Sequence, residues 1–487
     1  MNILKNIQHI LKKNRWLIAL FISAFLVRMI FAYATPIKSW DETIYLNLGS
    51  DLSHNLLDYS FSHGWSDYIP SGEDVMYGYP KAGFRAPLLP YLIAFLHIFH
   101  VSFLITFLLP LVGALSVIVV YVLGKELFTK RVGVISALFF AFIPLHVFYS
   151  GRVLTEVLLT FFILLTFLSF WKGFEKGNKT YKILFGVFLA LALLSRYTAL
   201  WIVPVFPLYL LARHKTFTFL RDKYLWYSVA AFLILLTPWF VYGIVTYHNP
   251  IGATIHGAKA SAYWGGAQSW HFFFDHWWQM FSIIGFVFVF ALLYIYYERA
   301  FFKKEMYLLL LWFILFFGIA LYMPHKEERF ILPIVPAVAL ITGYFIDKNK
   351  YYKKIVIAIM GVLLISLGVN FYTEYTTFHN INTNCFQQVS AKLKKLPGDG
   401  LLVSESPSLF RYYAGKDNIF YPDTITEATM NVVTHSTNRK VYFVFTKFNS
   451  GFETEVWQNL HKIMRDKYHL VFACQQDREV NWIYSTP

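Results

Sequence analysis

Apolar runs long enough to cross a lipid bilayer recur along this sequence, with short charged loops between them. A transmembrane helix needs about 20 mostly apolar residues. The chain is 57% hydrophobic and 15% charged, whereas soluble domains carry about 25% charged residues, so we exclude an ordinary soluble enzyme. The sequence predicts a polytopic all-α membrane protein with about 11 transmembrane helices. The predicted spans are residues 16–36, 103–124, 132–150, 153–171, 181–196, 197–212, 224–246, 277–297, 306–323, 329–346 and 355–371.

The distribution of Lys and Arg predicts the direction of these spans, because basic residues concentrate in cytoplasmic loops. The N-terminal arm and five loops together hold 22 basic and 6 acidic residues. Residues 37–86 instead carry three basic and seven acidic residues, so we place this loop outside. The net charge of +15 is therefore a topology signal, and we expect no nucleic-acid partner. The five inner loops are 125–131, 172–182, 213–223, 298–305 and 347–354.

Residues 87–100 form an apolar segment that is short for a span. The loop 37–86 is predicted outside and the loop 125–131 inside, so an odd number of spans must connect them. Residues 103–124 supply one span, and we therefore interpret 87–100 as an interfacial helix on the outer surface. We expect a multi-pass protein of the cell membrane, with its N-terminus in the cytoplasm and its C-terminus outside.

The last part of the chain has a different character. Four strand-like runs, at 401–406, 440–446, 468–474 and 481–486, and two helical segments, at 383–396 and 452–466, predict a small extracytoplasmic α/β domain. We therefore predict a transmembrane catalytic domain over 1–372, including the outer loop and its interfacial helices at 37–100, and a soluble domain over 373–487. Both cysteines, Cys385 and Cys474, fall in the soluble domain, and the sequence leaves open whether they are bonded.

An acidic pair, Asp41 and Glu42, lies just past the first span, at the outer membrane interface. A partly desolvated carboxylate at this position is suited to accept a proton from an attacking hydroxyl. The alternative is a helix cap, since acidic side chains are also favoured where a helix begins. The sequence leaves these two interpretations equal.

The segment 324–330, with the sequence PHKEERF, brings three potential cations onto an otherwise apolar outer edge. His325, Lys326 and Arg329 are suited to bind a phosphate and stabilise it as a leaving group, with Glu327 orienting them. The alternative is an anchor that snorkels to lipid headgroups. We favour the phosphate site, because a basic cluster on the outer side runs against the general charge bias.

Other charged residues lie near the predicted outer mouth of the spans. Arg152 and Glu156 are four residues apart, which fits either a site or a simple intrahelical ion pair. Arg28 lies within the first span, Arg196 in a tight turn between two short helices, and Arg85 in the outer loop. The histidines of loop 247–276 lack the spacing of a metal site, so we predict no zinc site. The aromatic residues of the same loop fit either an acceptor platform or an interfacial belt.

Taken together, these motifs resemble the GT-C superfamily of membrane glycosyltransferases, which use polyprenyl-phosphate-linked sugars. Segment 40–45 (WDETIY) resembles the acidic motif of the superfamily, and 325–330 (HKEERF) is similar to the HKE-x-RF signature of dolichyl-phosphate-mannose α-mannosyltransferases. Segments 84–90 (FRAPLLP) and 152–156 resemble the branch of protein mannosyltransferases and aminoarabinose transferases. The resemblance covers about residues 15–371.

The resemblance implies a GT-C fold and an inverting hexosyl transfer, of mannose or another hexose, from a polyprenyl-phosphate donor to an acceptor hydroxyl outside the membrane. It implies that Asp41 is the general base, with Glu42 and Glu156 as further catalytic candidates. The residues implied in binding the donor phosphate are Lys326, Arg329, His325, Arg85 and Arg196. Arg152, Arg28 and Glu327 are implied in orienting other groups, and Glu156 is expected to orient Arg28, Arg152 or the acceptor.

We expect no cofactor, although the sequence leaves a divalent cation open, and we expect a lipid, glycolipid or protein as acceptor. The alternative function is a transporter or flippase of lipid-linked saccharides. Transporters typically contain internal repeats and broken helices at the bilayer midplane, and neither is visible in the sequence. The candidate residues also gather at the outer mouth, which favours interfacial chemistry.

The topology is tested by introducing single cysteines and labelling them from each side of the membrane. Positions in 37–86 and 400–487 should react with an impermeant reagent from outside, and positions in 213–223 only from inside. Labelling of positions 94–100 from inside would contradict the interfacial helix and change the number of spans.

Overall fold

The structure is a computed structural model that describes residues 15–35, 39–59, 83–264, 267–381, 383–404, 406–416, 419–420, 425, 427–448, 455–476 and 479–487. The basic arm before residue 15 and the side chains of Tyr263 and Trp264 lie outside the described part. The chain divides into two compact units. The first contains residues up to 33, 85–89 and 103–371, and the second contains 34–84, 90–102 and 372–487.

The first unit is helical. In chain order, the helices up to residue 381 are α1 (Arg15–Ala34), α2 (Trp40–His54, in the second unit), α3 (Leu88–Ile98, mostly in the second unit), α4 (Ile105–Leu127), α5 (Lys130–Phe142), α6 (Pro144–Ser150), α7 (Thr155–Phe170), α8 (Lys179–Ser195), α9 (Val205–His214), α10 (Lys223–Tyr247), α11 (Gly252–Trp264), α12 (Phe272–Asp275), α13 (Trp277–Phe281), α14 (Ile283–Tyr297), α15 (Lys304–Tyr322), α16 (Val335–Asp347) and α17 (Tyr352–Ile381, ending in the second unit).

The helices coincide with the predicted spans, but they differ in length. Among the described residues, seven helices are long and apolar enough to cross a membrane, and the bent pair α5–α6 brings the number to eight. The remaining predicted spans fall on shorter pieces: α8, α9 with the 3₁₀ helix before it, and α13 with α14. The polytopic helical architecture is confirmed, whereas the count of about 11 spans stays a prediction. The segment 87–100 is helical as predicted, since α3 occupies most of it.

The pair α5–α6 is bent by 58°. Pro144 opens α6, and because proline has no N–H it cannot continue the hydrogen-bond ladder of α5. The fully buried Arg28 of α1 supplies donors at this break. Its Nη1 donates to the carbonyl of Ala141 at 3.0 Å, its Nη2 lies 2.9 Å from Nδ1 of His146, and its Nε donates to Oγ of Ser150 at 3.3 Å. Arg28 therefore links α1 to both arms of the bend.

The second unit contains a five-stranded sheet in the order β2-β1-β3-β5-β4. β1 pairs in parallel with β2 and β3, whereas β5 pairs antiparallel with β3 and β4. Its strands are β1 (Leu401–Ser404), β2 (Ile419–Phe420), β3 (Val441–Phe448), β4 (His469–Gln476) and β5 (Glu479–Ser485). Its C-terminal helices are α18 (Thr383–Lys394), α19 (Pro407–Ala414), α20 (Glu427–Ser436) and α21 (Glu455–Lys467).

Side chains alternate between the two faces of this sheet and form two cores, as expected for buried strands with a period of two. Tyr442, Val444 and Ile483 face α18 and α19, while Phe443 and Tyr484 face the other core, to which α20 and α21 contribute. This confirms the small α/β domain.

Short elements of this domain were missed by the sequence analysis. Helices α19 and α20 and the two-residue strand β2 fall between the predicted strands. Cys385 of α18 and Cys474 of β4 form a disulfide, which settles the pairing that the sequence left open. The predicted domain boundary at residue 372 stays a prediction, but the structure groups α2, from the first loop, with the C-terminal residues.

Candidate active site

A buried carboxylate lies at the centre of the charged residues in the first unit. Glu156 is 1% exposed and sits in the first turn of α7, where the helix dipole favours a negative charge. Its Oε1 lies 2.8 Å from Nη1 of Arg196 and 3.4 Å from Nε of Arg329. Arg196 follows the last residue of α8, and Arg329 belongs to the 3₁₀ helix Glu328–Ile334. One carboxylate thus joins three separate segments of the chain.

The contacts continue from Arg329 into the 325–330 segment. The Arg329 guanidinium faces both oxygens of Glu327, with Nε 2.7 Å from Oε2 and Nη2 donating to Oε1 at 2.8 Å. His325 Nε2 lies 3.0 Å from the same Oε1. Glu327 therefore contacts both Arg329 and His325, and its role as an orienting residue stays a prediction.

One aromatic ring packs among these charges. The Arg196 guanidinium lies 5.0 Å from the ring centre of Phe330, and the ring of His325 meets the same ring edge to face. Cation–π contacts of this kind hold a guanidinium in a fixed plane. We name the set Glu156, Arg196, His325, Glu327 and Arg329 the ion-pair cluster.

Lys326 stands beside the ion-pair cluster but has different partners. It is 4% exposed, and its Nζ donates to the backbone carbonyls of Met323 at 2.7 Å and Gln268 at 3.2 Å. Its backbone N–H donates to Oε1 of Gln268 at 2.6 Å. Within the part of the chain that the structure describes, Lys326 pairs with no carboxylate. The Lys326 ammonium therefore contacts only neutral carbonyl groups, and its positive charge is suited to bind an anionic ligand.

The structure corrects two expectations about Glu156. Its ion pairs are with Arg196 and Arg329, whereas Arg28 supports the bend of α5–α6. Arg152 lies in the turn before α7, so it does not share a helical face with Glu156 as the four-residue spacing suggested. Arg152 is 8% exposed, and its guanidinium lies 5.6 Å from the ring centre of Phe148.

The remaining phosphate-binding candidate, Arg85, lies in a bend shortly before α3 and is half-buried.

The acidic pair Asp41 and Glu42 opens α2, in the second unit. Glu42 is fully buried, and its Oε2 accepts from the backbone N–H of Ser39 at 2.8 Å as part of a capping box. The capping alternative therefore describes Glu42. Asp41 also lies in the first turn but is half-buried, so the two acids have different surroundings.

Helix α2 packs against α19 through buried polar contacts that the sequence analysis did not find. Arg411 forms a bidentate pair with Asp51, with Nη1 and Nη2 donating to the two carboxylate oxygens at 2.6 and 2.5 Å. Thr43 and Ser408 share a hydroxyl hydrogen bond of 2.6 Å, and Asn47 donates to the carbonyl of Ser408 at 2.9 Å. No local sequence pattern marks these pairs, because the partners are about 360 residues apart.

The motif tryptophan also belongs to this packing. Trp40 contacts the core formed by α18, α19 and the sheet. Desolvation and the negative charge of Glu42 raise the pKa of Tyr412. The start of α2, which carries Asp41, is therefore fixed by the C-terminal residues.

Across the described ranges, no group of three or more His, Cys, Asp and Glu residues is arranged to hold a metal ion. The expectation of no cofactor stays a prediction.

One part of this chain matches a known protein family. Residues 84–242 match the family model described as dolichyl-phosphate-mannose-protein mannosyltransferase. No curated protein matches the sequence.

Solved structures resemble the chain over most of its length. ArnT from Cupriavidus metallidurans bound to undecaprenyl phosphate is 12% identical, with a TM-score of 0.70 over 96% of this chain and 98% of that one. Archaeoglobus fulgidus oligosaccharyltransferase tethered to an acceptor peptide is 13% identical, with a TM-score of 0.63 over 89% and 69%. The archaeal oligosaccharyltransferase AglB from the same organism, with an inhibitory peptide and a dolichol-phosphate, is 15% identical, with a TM-score of 0.61 over 89% and 69%. The GT-C fold implied by the motifs is confirmed.

The ion-pair cluster predicts a large effect of Glu156→Gln. Without the carboxylate, Arg196 and Arg329 lose a shared buried partner, and removing one member of a buried pair typically costs about 3–5 kcal/mol of unfolding free energy. We expect a lower midpoint of thermal unfolding in detergent. Arg196→Gln should act similarly, and the double variant should lose less than the sum of the two. The exposed Glu298→Gln is the control, and an equal midpoint for Glu156→Gln and wild type would contradict the cluster.

The contact between α2 and α19 predicts that Arg411→Gln loosens α2, because Asp51 is left buried without its bidentate partner. Hydrogen–deuterium exchange should increase in residues 40–54 and 407–414, with little change in α10. The exposed Arg439→Gln serves as the matched control. Unchanged protection of α2 in Arg411→Gln would show that this pair does not hold the helix.

Proposed function

We propose that this protein is an inverting glycosyltransferase that moves a sugar, mannose or another hexose, from a polyprenyl-phosphate donor to an acceptor hydroxyl outside the membrane. The observation that carries the proposal is the buried group of cations next to the Glu156 carboxylate, placed within a GT-C fold. General glycosyl transfer is supported by the similarity to ArnT and AglB and by the match to the mannosyltransferase family.

The charges of this group suit a phosphate. Arg196 and Arg329 pair with the carboxylates of Glu156 and Glu327, whereas Lys326 has no carboxylate partner within the described residues. Lys326 therefore supplies a positive charge for an anion, since its Nζ has only carbonyl partners. We assign Lys326 and Arg329 as the principal phosphate ligands.

The supporting roles follow from the same contacts. Glu156 and Glu327 hold the guanidinium groups of Arg196 and Arg329 in place, so these groups need not reorganise when charge develops on the departing phosphate. His325, oriented by Glu327, and Arg85 assist in binding the donor. A snorkelling anchor would keep its charged groups in water, whereas Lys326 and Arg329 are 4% and 8% exposed.

We propose different roles for the two neighbouring acidic residues, Asp41 and Glu42. We assign Asp41 as the general base, supported by its half-buried position in the first turn of α2, and Glu42 as the residue that caps this helix. In the proposed step the Asp41 carboxylate takes the proton of the acceptor hydroxyl. The hydroxyl oxygen then forms a bond to the anomeric carbon, the bond from that carbon to the phosphate oxygen breaks, and the lipid phosphate leaves with the electron pair.

The donor class is supported by the relatives. ArnT was solved with undecaprenyl phosphate and AglB with a dolichol-phosphate, so both bind a polyprenyl-type phosphate. We propose the same class of donor for this protein, with a lipid, glycolipid or protein as acceptor. Arg28 and Arg152 are assigned to supporting the site, in agreement with the contacts of Arg28 at the bend of α5–α6.

The proposal is tested with purified protein in nanodiscs, supplied with polyprenyl-phosphate sugars and membrane lipid acceptors. Transfer is followed by mass spectrometry of the products. Asp41→Asn should lower the rate about 10²–10⁴-fold, the range for loss of a general base. Lys326→Ala should abolish detectable transfer by weakening donor binding and leaving-group stabilisation.

Asp399→Asn and Lys176→Ala, both exposed, provide controls matched in charge and should retain the wild-type rate. Full activity of Asp41→Asn would contradict the assignment of the base. If wild type transfers no sugar but moves lipid-linked sugar across vesicle membranes, the transporter alternative replaces this proposal.

A further inference from the structure

A groove lies between α5 and α17 of the first unit, away from the ion-pair cluster. Its volume is about 780 Å³, within the range of about 300–1,000 Å³ that is typical of ligand sites. Lys130, Arg131 and Lys353 line one end. The walls below are apolar and come from both helices, at Val134, Leu138, Val356 and Ile357.

The charges at the mouth of this groove are mostly positive. Among the described residues, Asp347 is the single acidic residue that lines the groove, and Arg131 Nη1 lies 3.3 Å from Oδ1 of this carboxylate. The Arg131 guanidinium also lies over the ring of Tyr352, 4.8 Å from its centre. Arg131 is thus held in place by Asp347 and Tyr352, while Lys130 and Lys353 are exposed and add two positive charges.

Lys130, Arg131 and Lys353 lie in the first turns of their helices, where positive charges are ordinarily disfavoured. α5 begins at Lys130 and α17 at Tyr352, and neither helix has an acidic residue in its first turn. Because the helix dipole is positive at this end, cations in the first turn are destabilising. An anion at the mouth of the groove would offset the repulsion in both helices.

The location of the groove agrees with a lipid ligand. α17 contains a candidate membrane span and α5 forms one together with α6, and both begin at the mouth of the groove, so the cations lie at a membrane interface and the apolar walls run toward the hydrocarbon core. The two ends belong to loops 125–131 and 347–354, which the charge bias predicts to face the cytoplasm.

We propose that this groove binds an anionic phospholipid, with the headgroup phosphate between Lys130, Arg131 and Lys353 and an acyl chain along Val134, Leu138, Val356 and Ile357. The combination of positive mouth and apolar wall matches a phosphate joined to a hydrocarbon chain. The groove is separate from the candidate active site, so this inference does not depend on the proposed function.

The test uses full-length protein stripped of lipid in detergent, with binding measured by native mass spectrometry and by thermal stabilisation. Wild type should bind one phosphatidylglycerol with higher affinity than phosphatidylcholine. Lys130→Gln with Lys353→Gln should weaken phosphatidylglycerol binding about 10- to 30-fold, from the attraction lost with two basic residues. This double variant leaves the pair of Arg131 and Asp347 intact.

The matched control is Lys176→Gln with Lys179→Gln, which removes two exposed charges from another loop predicted on the same side and should bind as wild type does. Val134→Trp, which fills the groove, should also lose binding while keeping a monodisperse, helical protein.

Three outcomes would overturn the proposal. The first is equal phosphatidylglycerol binding by wild type and by the Lys130 and Lys353 double variant. The second is equal stabilisation by phosphatidylcholine or by soluble glycerol phosphate, which would indicate annular lipid or a site for the headgroup alone. The third is binding of undecaprenyl phosphate without phosphatidylglycerol, which would assign the groove to a different lipid.

Discussion

The candidate site depends on one buried carboxylate that holds three chain segments together. Glu156 at the start of α7 pairs with Arg196 after α8 and with Arg329 in the 3₁₀ helix Glu328–Ile334. A buried charge of either sign is costly alone, so the position of each segment depends on the other two. The same pairing fixes the backbone that carries Arg329 and the neighbouring Lys326. Cations fixed in this way are suited to stabilise the negative charge that develops on a departing phosphate.

A second constraint shapes the helices around this cluster. The break before Pro144 leaves helix carbonyls that need donors, and the fully buried Arg28 supplies them together with contacts to His146 and Ser150. An arginine inside a predicted span is usually read as part of a functional site. Here the contacts of Arg28 explain a bent helix pair, which directly precedes the turn into α7 and Glu156.

The C-terminal domain fixes helix α2 in place. The bidentate pair of Asp51 and Arg411, together with the hydrogen bonds to Ser408, fixes the helix that carries Asp41. The C-terminal residues therefore support the segment that carries the proposed base. Cys385 and Cys474, whose bonding the sequence left open, form a disulfide that joins α18 to β4 in the same domain.

The sequence by itself determined the helical membrane architecture, the small α/β domain and the residues worth examining. The lengths of the hydrophobic runs, the alternation of residues in the strands and the motifs around Asp41 and Lys326 can each be recognised within a short stretch of sequence. Only the tertiary structure decided which charges pair: Glu156 with Arg196 and Arg329, Arg28 with the α5–α6 bend, and Asp51 with Arg411. These partners are separated by about 40 to 360 residues. Ion pairs between distant segments depend on how helices pack, and no local pattern specifies that packing.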